Sequence, residues 1–202
     1  MKKVILLTNI PTPYRVALFN VLNQELTDRG FVFKVIFGAV GYARRQWQID
    51  MKDCRFPYDV LTTTALRFSD PEQSSFTYNG LFRMLRRERP DVIITNGFSI
   101  ATTKLWFRSF LRPTRYLIWS GAIPIRGSDE SWLRLFQRKL LVRRSTGFIA
   151  YGSNAKDYLV NLGAPVESIS IGINTVDTSY YSSTAAEVRR RTETGKLPKT
   201  LV

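Results

Sequence analysis

The 202-residue sequence has no histidine and one cysteine, Cys54. Without histidine there is no Ser-His-Asp triad, no Cys-His dyad and no zinc site built on imidazole. A single cysteine rules out an intrachain disulfide and fits a reducing compartment. Cys54 lies in a loop with no general base beside it and reads as inert. Two phosphate-binding signatures are missing: there is no GxxxxGK[ST], and no GxGxxG follows the first strand-like run, which argues against a kinase or a dehydrogenase. No Asp-x-Asp pair is present to hold a metal–diphosphate. No apolar run approaches the ~18 residues of a membrane span. The signal-like start, "MKKVILLTNIPTPYR", is broken by Asn9, Pro11, Pro13 and Arg15 and has no small-residue cleavage site. Acidic residues are scarce. Lys and Arg number 30 against 16 Asp and Glu, a net charge of +14, which calls for an anionic partner: nucleic acid, anionic lipid or phosphorylated metabolites.

The chain is 44% apolar and long enough for one well-buried domain. Short apolar runs alternate with helical patterns. "KVILLT", "FVFKVIF", "YDVLTT", "DVIITN", "RYLIWS", "GFIAYG" and "ESISIGI" read as strands. Helices are expected from Pro13 to about Arg29, over "NGLFRMLRRER", around "TTKLWFRSFL", from Ser128 through "SDESWLRLFQRKLLVRR", and over "SNAKDYLVNLG". An irregular stretch is expected from 38 to 55, and a loop from the third strand to about Phe76. Continuous rather than alternating apolar strands, separated by helices, predict an α/β fold: a Rossmann-like parallel sheet with helices on both faces. Residues 1–175 are expected to form this domain, 176–198 read as a polar linker with one short helix, and 199–202, "TLV" with its preceding lysine, either as the first residues of a further domain or as a plain disordered tail.

Ligands of open parallel sheets bind beyond the C-terminal ends of the strands. The loops leaving those ends carry Asn9 and Thr12 after the first strand, Asn96, Gly97 and Phe98 after the fourth, Trp119, Ser120 and Gly121 after the fifth, and Gly152 and Ser153 after the sixth. Asn, Ser and Thr supply hydrogen bonds, glycine lets backbone approach, and aromatic rings stack on sugar faces. The same residue types also fill ordinary strand-to-helix turns.

Arg15 poses a question of its own. Thr12 can cap the first helix and Pro13 suits its first position, which places Arg15 in the first turn, where the helix dipole repels a cation. Either water screens it, or an anion sits between the guanidinium and the free N–H groups of that turn. Both readings expect Arg15→Glu to spare or slightly help the unliganded fold.

Charge is concentrated. Between Arg83 and Arg144 there are fourteen Lys and Arg against four Asp and Glu. Apolar side chains interleave with the cations in "KLWFRSFLR" and "WLRLFQRKLLVRR". Such helices either lie on anionic lipid headgroups or bury one face and solvate the other. No nucleic-acid motif accompanies the charge, so nucleic acid is not expected as the partner.

The stretch "YGSNAKDYLVNLGAPVESISIGINTVDTSYY" resembles the end of the first domain of family 4 glycosyltransferases of the GT-B fold. Gly152, Lys156, Tyr158, Leu159, Gly163, Pro165, Ile169, Ile171, Asn174, Val176, Asp177 and Tyr180 carry the likeness. The opening "TNIPTPYRVALFNVL" resembles the first strand–loop–helix of a bacterial branch of that family. The resemblance implies one half of a two-domain transferase of surface-polysaccharide or lipopolysaccharide assembly. This half would bind a lipid-linked or polysaccharide acceptor at the inner, cytoplasmic face of the cell membrane. A second domain would bind the nucleotide-sugar donor, with no cofactor and no tightly held metal. On this resemblance Asn9, Thr12, Arg15, Asn96, Gly97, Phe98, Trp119, Ser120, Gly121, Gly152, Ser153, Asn174 and Asp177 are the expected substrate-binding residues, and the chain alone is expected to be inactive. The sequence departs from the family in its Pro11-Thr12-Pro13 loop, where many members have Gly-Gly. Trp119-Ser120 stands where many have a histidine, and the Glu-x7-Glu motif of the donor domain is absent. No catalytic base is assigned. The alternative is a non-enzymatic α/β module that binds membranes or polyanions.

Overall fold

The computed structural model describes residues 1–41, 50–61, 65–67, 74–124, 131–173, 175–176 and 178–193. In chain order the elements are β1 (Lys2–Thr8), α1 (Pro13–Asp28), β2 (Phe31–Phe37), a 3-10 turn (Met51–Asp53), β3 (Tyr58–Val60), β4 (Ala65–Arg67), β5 (Ser74–Phe76), α2 (Leu81–Glu88) and β6 (Val92–Asn96). There follow α3 (Ile100–Leu111), β7 (Tyr116–Ser120), α4 (Trp132–Arg144), β8 (Gly147–Ala150), α5 (Ser153–Asn161), a second 3-10 turn (Val166–Ser168), β9 (Ile169–Ile171) and α6 (Thr178–Glu193).

Seven strands form one sheet in the order β3-β2-β1-β6-β7-β8-β9, and every neighbouring pair is parallel. The Rossmann-like α/β architecture is therefore as the sequence predicts. The strand order reverses between β1 and β6, and the crevice beyond that reversal is where such sheets bind ligands. Successive side chains of a strand point to opposite faces, and β1 shows this directly. Val4 and Leu6 pack with Val16 and Phe19 of α1, Phe33, Val35 and Phe37 of β2, and Phe56. Ile5 and Leu7 pack on the other face with Leu81 and Leu85 of α2, Leu105 of α3, Leu141 of α4 and Leu159 of α5. Two cores on one sheet explain why the strands read as unbroken apolar runs.

Three details differ from the sequence reading. The loop expected before Phe76 contains an antiparallel pair, β4 with β5. Three-residue strands are too short to show a period of two. The helix expected from Ser128 is described from Trp132, and Ser128 lies outside the described residues; so does the middle of the irregular stretch, 42–49. The short linker helix is the 16-residue α6, exposed along nearly its whole length. Residues 199–202 also lie outside the described residues.

At the sheet end opposite the ligand edge, scarce carboxylates are spent on pairing. Glu88 meets Lys3 at 3.0 Å, Lys34 at 3.1 Å and Arg87 at 3.0 Å, and Asp59 meets Lys34 at 3.0 Å and Arg87 at 2.5 Å. Burial alone would raise the Glu88 carboxyl, but hydrogen bonds from Lys3, Lys34 and Arg87 outweigh it and bring it down to about 2.

Candidate functional site

The loops at the C-terminal ends of β1, β6, β7 and β8 lie side by side, because the strands that feed them are neighbours in the sheet. Backbone bonds tie the loops together. Gly97 N–H donates to Trp119 O at 2.8 Å, and Tyr151 N–H donates to Ser120 O at 3.1 Å. Gly97 has a φ of 59°, a left-handed turn that suits glycine. Gly121 is fixed by proximity: a Cβ there would stand 2.3 Å from Cδ2 of the Tyr151 ring.

Arg15 lies across this edge. Its Nη1 donates to Thr8 Oγ1 at 3.2 Å, at the end of β1, and its Nη2 donates to the Tyr151 phenol oxygen, just beyond β8. The guanidinium carbon stands 5.9 Å from the ring centroids of Tyr14 and Trp119 and 6.0 Å from that of Tyr151. Water therefore does not simply screen this cation: aromatic faces and two oxygens offset its unfavourable place at the helix start. All these partners are neutral, and among the described residues no carboxylate pairs with it. Burial pushes the Tyr151 phenol up in spite of the nearby guanidinium, so it stays a neutral hydroxyl.

The first turn of α1 offers fewer donors than a helix start usually does. Pro13 has no N–H, and the amides of Arg15 and Val16 donate to Thr12 O at 3.0 and 2.9 Å, which leaves that of Tyr14. Thr12 does not cap the helix with its side chain. Its Oγ1 is buried without a partner among the described residues, and so is Nε1 of Trp119. The backbone carbonyl of Thr12 accepts the Arg15 amide, and the Trp119 ring lies beside the guanidinium.

Several expected ligand residues carry structural work. The Trp119 ring is only 8% exposed and packs edge-on against Tyr151, so its face is not open for a sugar to stack on. Phe98 packs against the core, with the Arg138 guanidinium 5.1 Å from its ring centroid. Ser120 is buried, and its Oγ accepts Ala122 N–H at 3.1 Å. Asn9 Oδ1 accepts the Tyr78 hydroxyl at 2.5 Å. Asn96 and Gly152 are half-buried and Ser153 is exposed at this edge, while Asn174 and Asp177 lie outside the described residues. Tyr14 and Tyr78 are not singled out by sequence reasoning. The Tyr78 contact joins distant segments, and only the strand-end position of Asn9 hinted at it, whereas Tyr14 is the chain neighbour of Arg15. Away from this edge, burial and then the Asp53 charge push the Cys54 thiol up, which fits an unreactive side chain. Among the described residues no cluster of three His, Cys, Asp or Glu side chains could hold a metal ion.

Residues 19–171 match the model of the glycosyl transferase 4-like domain. The chain belongs to that family. A search of curated protein sequences finds no match. Among solved structures, the domain is similar to Anabaena HepE in complex with UDP and glucose, with a TM-score of 0.62 and 17% identity over 95% of this chain and 50% of that one. It is similar to the Neisseria meningitidis UDP-GlcNAc 2-epimerase bound to UDP-GlcNAc, with a TM-score of 0.62 and 14% identity over 97% of this chain and 54% of that one. A third likeness, a sucrose-phosphate synthase structure from Thermosynechococcus elongatus, has a TM-score of 0.54 and 10% identity, covering 94% of this chain and 98% of that one. At these identities the likeness is one of fold. The domain spans about half the length of HepE and of the epimerase. No helix among the described residues is long and apolar enough to cross a membrane.

Proposed function

We propose that this domain is the acceptor-binding half of a glycosyltransferase that moves a sugar from a nucleotide-sugar donor to a lipid-linked or polysaccharide acceptor in bacterial surface-polysaccharide assembly. The observation that carries the reading is the Arg15 cluster. Among the described residues no carboxylate pairs with its guanidinium, the Trp119 ring lies beside it, and Thr12 Oγ1 and Trp119 Nε1 are buried without a hydrogen-bond partner. Each such atom costs about 1–3 kcal/mol if left unmet, and a phosphate of the donor or of a lipid-diphosphate acceptor at Arg15 brings the charge that the guanidinium lacks and acceptor oxygens for its neighbours. Asn9, Asn96, Gly97 and Ser153 offer hydrogen bonds to sugar hydroxyls at the same edge. Trp119, Ser120, Gly121 and Phe98 act behind them as the frame.

Residues 1–175 are the domain proper in this reading, 176–198 connect it to a nucleotide-binding half, and 199–202 begin that half. Support comes from HepE, seen in complex with UDP and glucose, from the epimerase, seen bound to UDP-GlcNAc, and from the greater length of both. The protein works in the cytoplasm against the inner face of the membrane. The test is transfer of labelled sugar from UDP-glucose and UDP-GlcNAc to bacterial membrane extract. The 202-residue chain alone is expected to transfer nothing above the extract background, and a protein that joins it to a donor-binding half is expected to transfer sugar. Transfer by the chain alone overturns the half-enzyme reading. No transfer by the joined protein with any nucleotide sugar overturns the glycosyltransferase reading.

A further inference from the structure

The helices on the α3 side of the sheet leave an outer surface that the proposed chemistry does not use. α3 and α4 lie side by side and run the same way: Gln137 Nε2 donates to Thr103 Oγ1 at 3.1 Å near one end, and Arg144 Nε donates to Ser109 Oγ at 2.8 Å near the other. Their inner faces supply Leu105, Leu141 and Val142 to the core. Their outer faces show Phe107, Phe110, Leu111, Trp132, Leu133 and Phe136, each more than half exposed. A satisfied core does not explain six large apolar side chains in water on two adjoining helices.

The charge on the two helices has one sign. Neither α3 nor α4 contains a carboxylate. The side chains of Arg86, Arg112, Arg134, Lys139 and Arg143 make no hydrogen bond or ion pair among the described residues. Between α2 and α3 an open groove of about 200 Å³ has apolar walls, Phe82, Phe107 and Leu111, and a rim of Arg86, Arg108 and Arg112. Arg108 donates to Thr114 Oγ1, and burial first, then the charge of Arg112 four positions on along the same rim, disfavours its own charge. An anionic headgroup relieves that repulsion, and an acyl chain suits the walls.

We infer that the outer face of α2, α3 and α4 docks on an anionic phospholipid bilayer, with a phospholipid headgroup seated between Arg86, Arg108 and Arg112. Charge complementarity and apolar exposure favour the bilayer together. A nucleic acid or an acidic polysaccharide answers the arginines but gains nothing from Leu133 and Phe136. Basic helices with Trp, Phe and Leu on the same surface gain from both lipid charge and acyl contact. The surface assignment rests on the membrane placement proposed above. Vesicle binding needs no sugar transfer, so loss of transfer with intact binding counts against the enzyme reading alone.

The test is co-sedimentation of the full chain with phosphatidylcholine vesicles, with and without phosphatidylglycerol. Binding is expected only to the anionic vesicles, and it falls steeply as salt is raised because surface charge attraction is screened. Arg86→Glu/Arg112→Glu is expected to weaken it by at least about tenfold, given what each basic residue contributes near a charged surface. Leu133→Ser/Phe136→Ser is expected to weaken it severalfold with the net charge unchanged. These side chains are exposed, so thermal melts should match the parent; if one variant does not fold, the salt and lipid series on the parent chain still decides. Absence of binding to anionic vesicles, equal binding to neutral ones, or binding indifferent to Leu133→Ser/Phe136→Ser overturns the proposal. So does release by inorganic phosphate beyond that by chloride of equal ionic strength, which would put a free phosphate in the groove.

Discussion

Arg15 and Tyr151, 136 residues apart in the chain, meet through a hydrogen bond from the guanidinium to the phenol oxygen. That bond ties the start of α1 to the end of β8 across the strand-order reversal, and it changes what Arg15→Glu should do. A solvated arginine opposing a helix dipole would be replaced at no loss. In the structure the substitution removes the bonds to Thr8 and Tyr151 and the contacts with three rings. A dipole gain of ~0.3–1 kcal/mol offsets only part of that. Arg15→Glu is expected to destabilise the domain by about 1–3 kcal/mol, as loss of a charge-assisted bond to a buried partner does. Urea denaturation checks this; an unchanged or raised midpoint returns Arg15 to a solvated role.

Gly121 should report on the same latch. Its missing Cβ makes room for the Tyr151 ring, so Gly121→Ala must displace the ring and with it the Arg15 bond. Overpacking of this kind costs about 1–3 kcal/mol. Gly152→Ala is the control: its φ of 170° is extended backbone open to any residue, and nothing lies within 4 Å of a Cβ there. The Gly121 and Arg15 substitutions share one contact, so their combined cost in urea melts should fall short of the sum.

Acid should act at the far end of the sheet. The Glu88 carboxyl titrates at about 2, below the ~4.3 of an unfolded glutamate. Its pairing with Lys3, Lys34 and Arg87 therefore contributes fully above the unfolded value and is lost as pH falls from there toward 2. On the basic side, burial would lower the Lys34 ammonium, but bonds to Asp59 and Glu88 raise it, so its contribution holds below the unfolded value and fades as pH rises through the raised one. No histidine titrates between, so stability should be level from about pH 6 to 8. Denaturation across pH, with Glu88→Gln as comparison, checks this. The variant should be less stable at neutral pH and lose part of the acid slope.

The sheet was legible because a strand buried on both faces must be apolar at every position, as Ile5 and Leu6 show by entering different cores. The ligand edge was legible for a related reason: parallel strands all end on one side, so Asn9, Asn96, Ser120 and Ser153 had to assemble there. Their individual roles were not legible. Nothing local to Trp119 says that Arg15 covers its ring, and nothing local to Asn9 says that Tyr78 takes its carbonyl oxygen. Those facts depend on contacts between segments far apart in sequence. The Thr12 cap failed for a local reason instead. With Pro13 following and Thr12 O already accepting two amides, the first turn closes through the backbone and leaves the hydroxyl without a partner among the described residues.

That hydroxyl offers the sharpest separation of function from fold. Thr12→Val keeps the side-chain shape and removes one oxygen. Loss of a helix cap normally costs about 0.5–2 kcal/mol, but Thr12 makes no cap bond, so that cost should not appear. Removing a buried polar atom with no protein partner should instead leave stability unchanged or raise it by up to about 1 kcal/mol. If Thr12 Oγ1 binds the phosphate that Arg15 attracts, the same change should lower kcat/KM for sugar transfer by about five- to tenfold in a protein carrying both halves, the worth of one hydrogen bond. Stabilisation with loss of transfer is what a binding group held ready at a cost to the fold should show. Stabilisation with normal transfer would mean that the hydroxyl meets no ligand, and would confine the anion site to Arg15 and Trp119. Destabilisation by more than about 1 kcal/mol would reveal a protein partner for Thr12 and remove it from the site altogether.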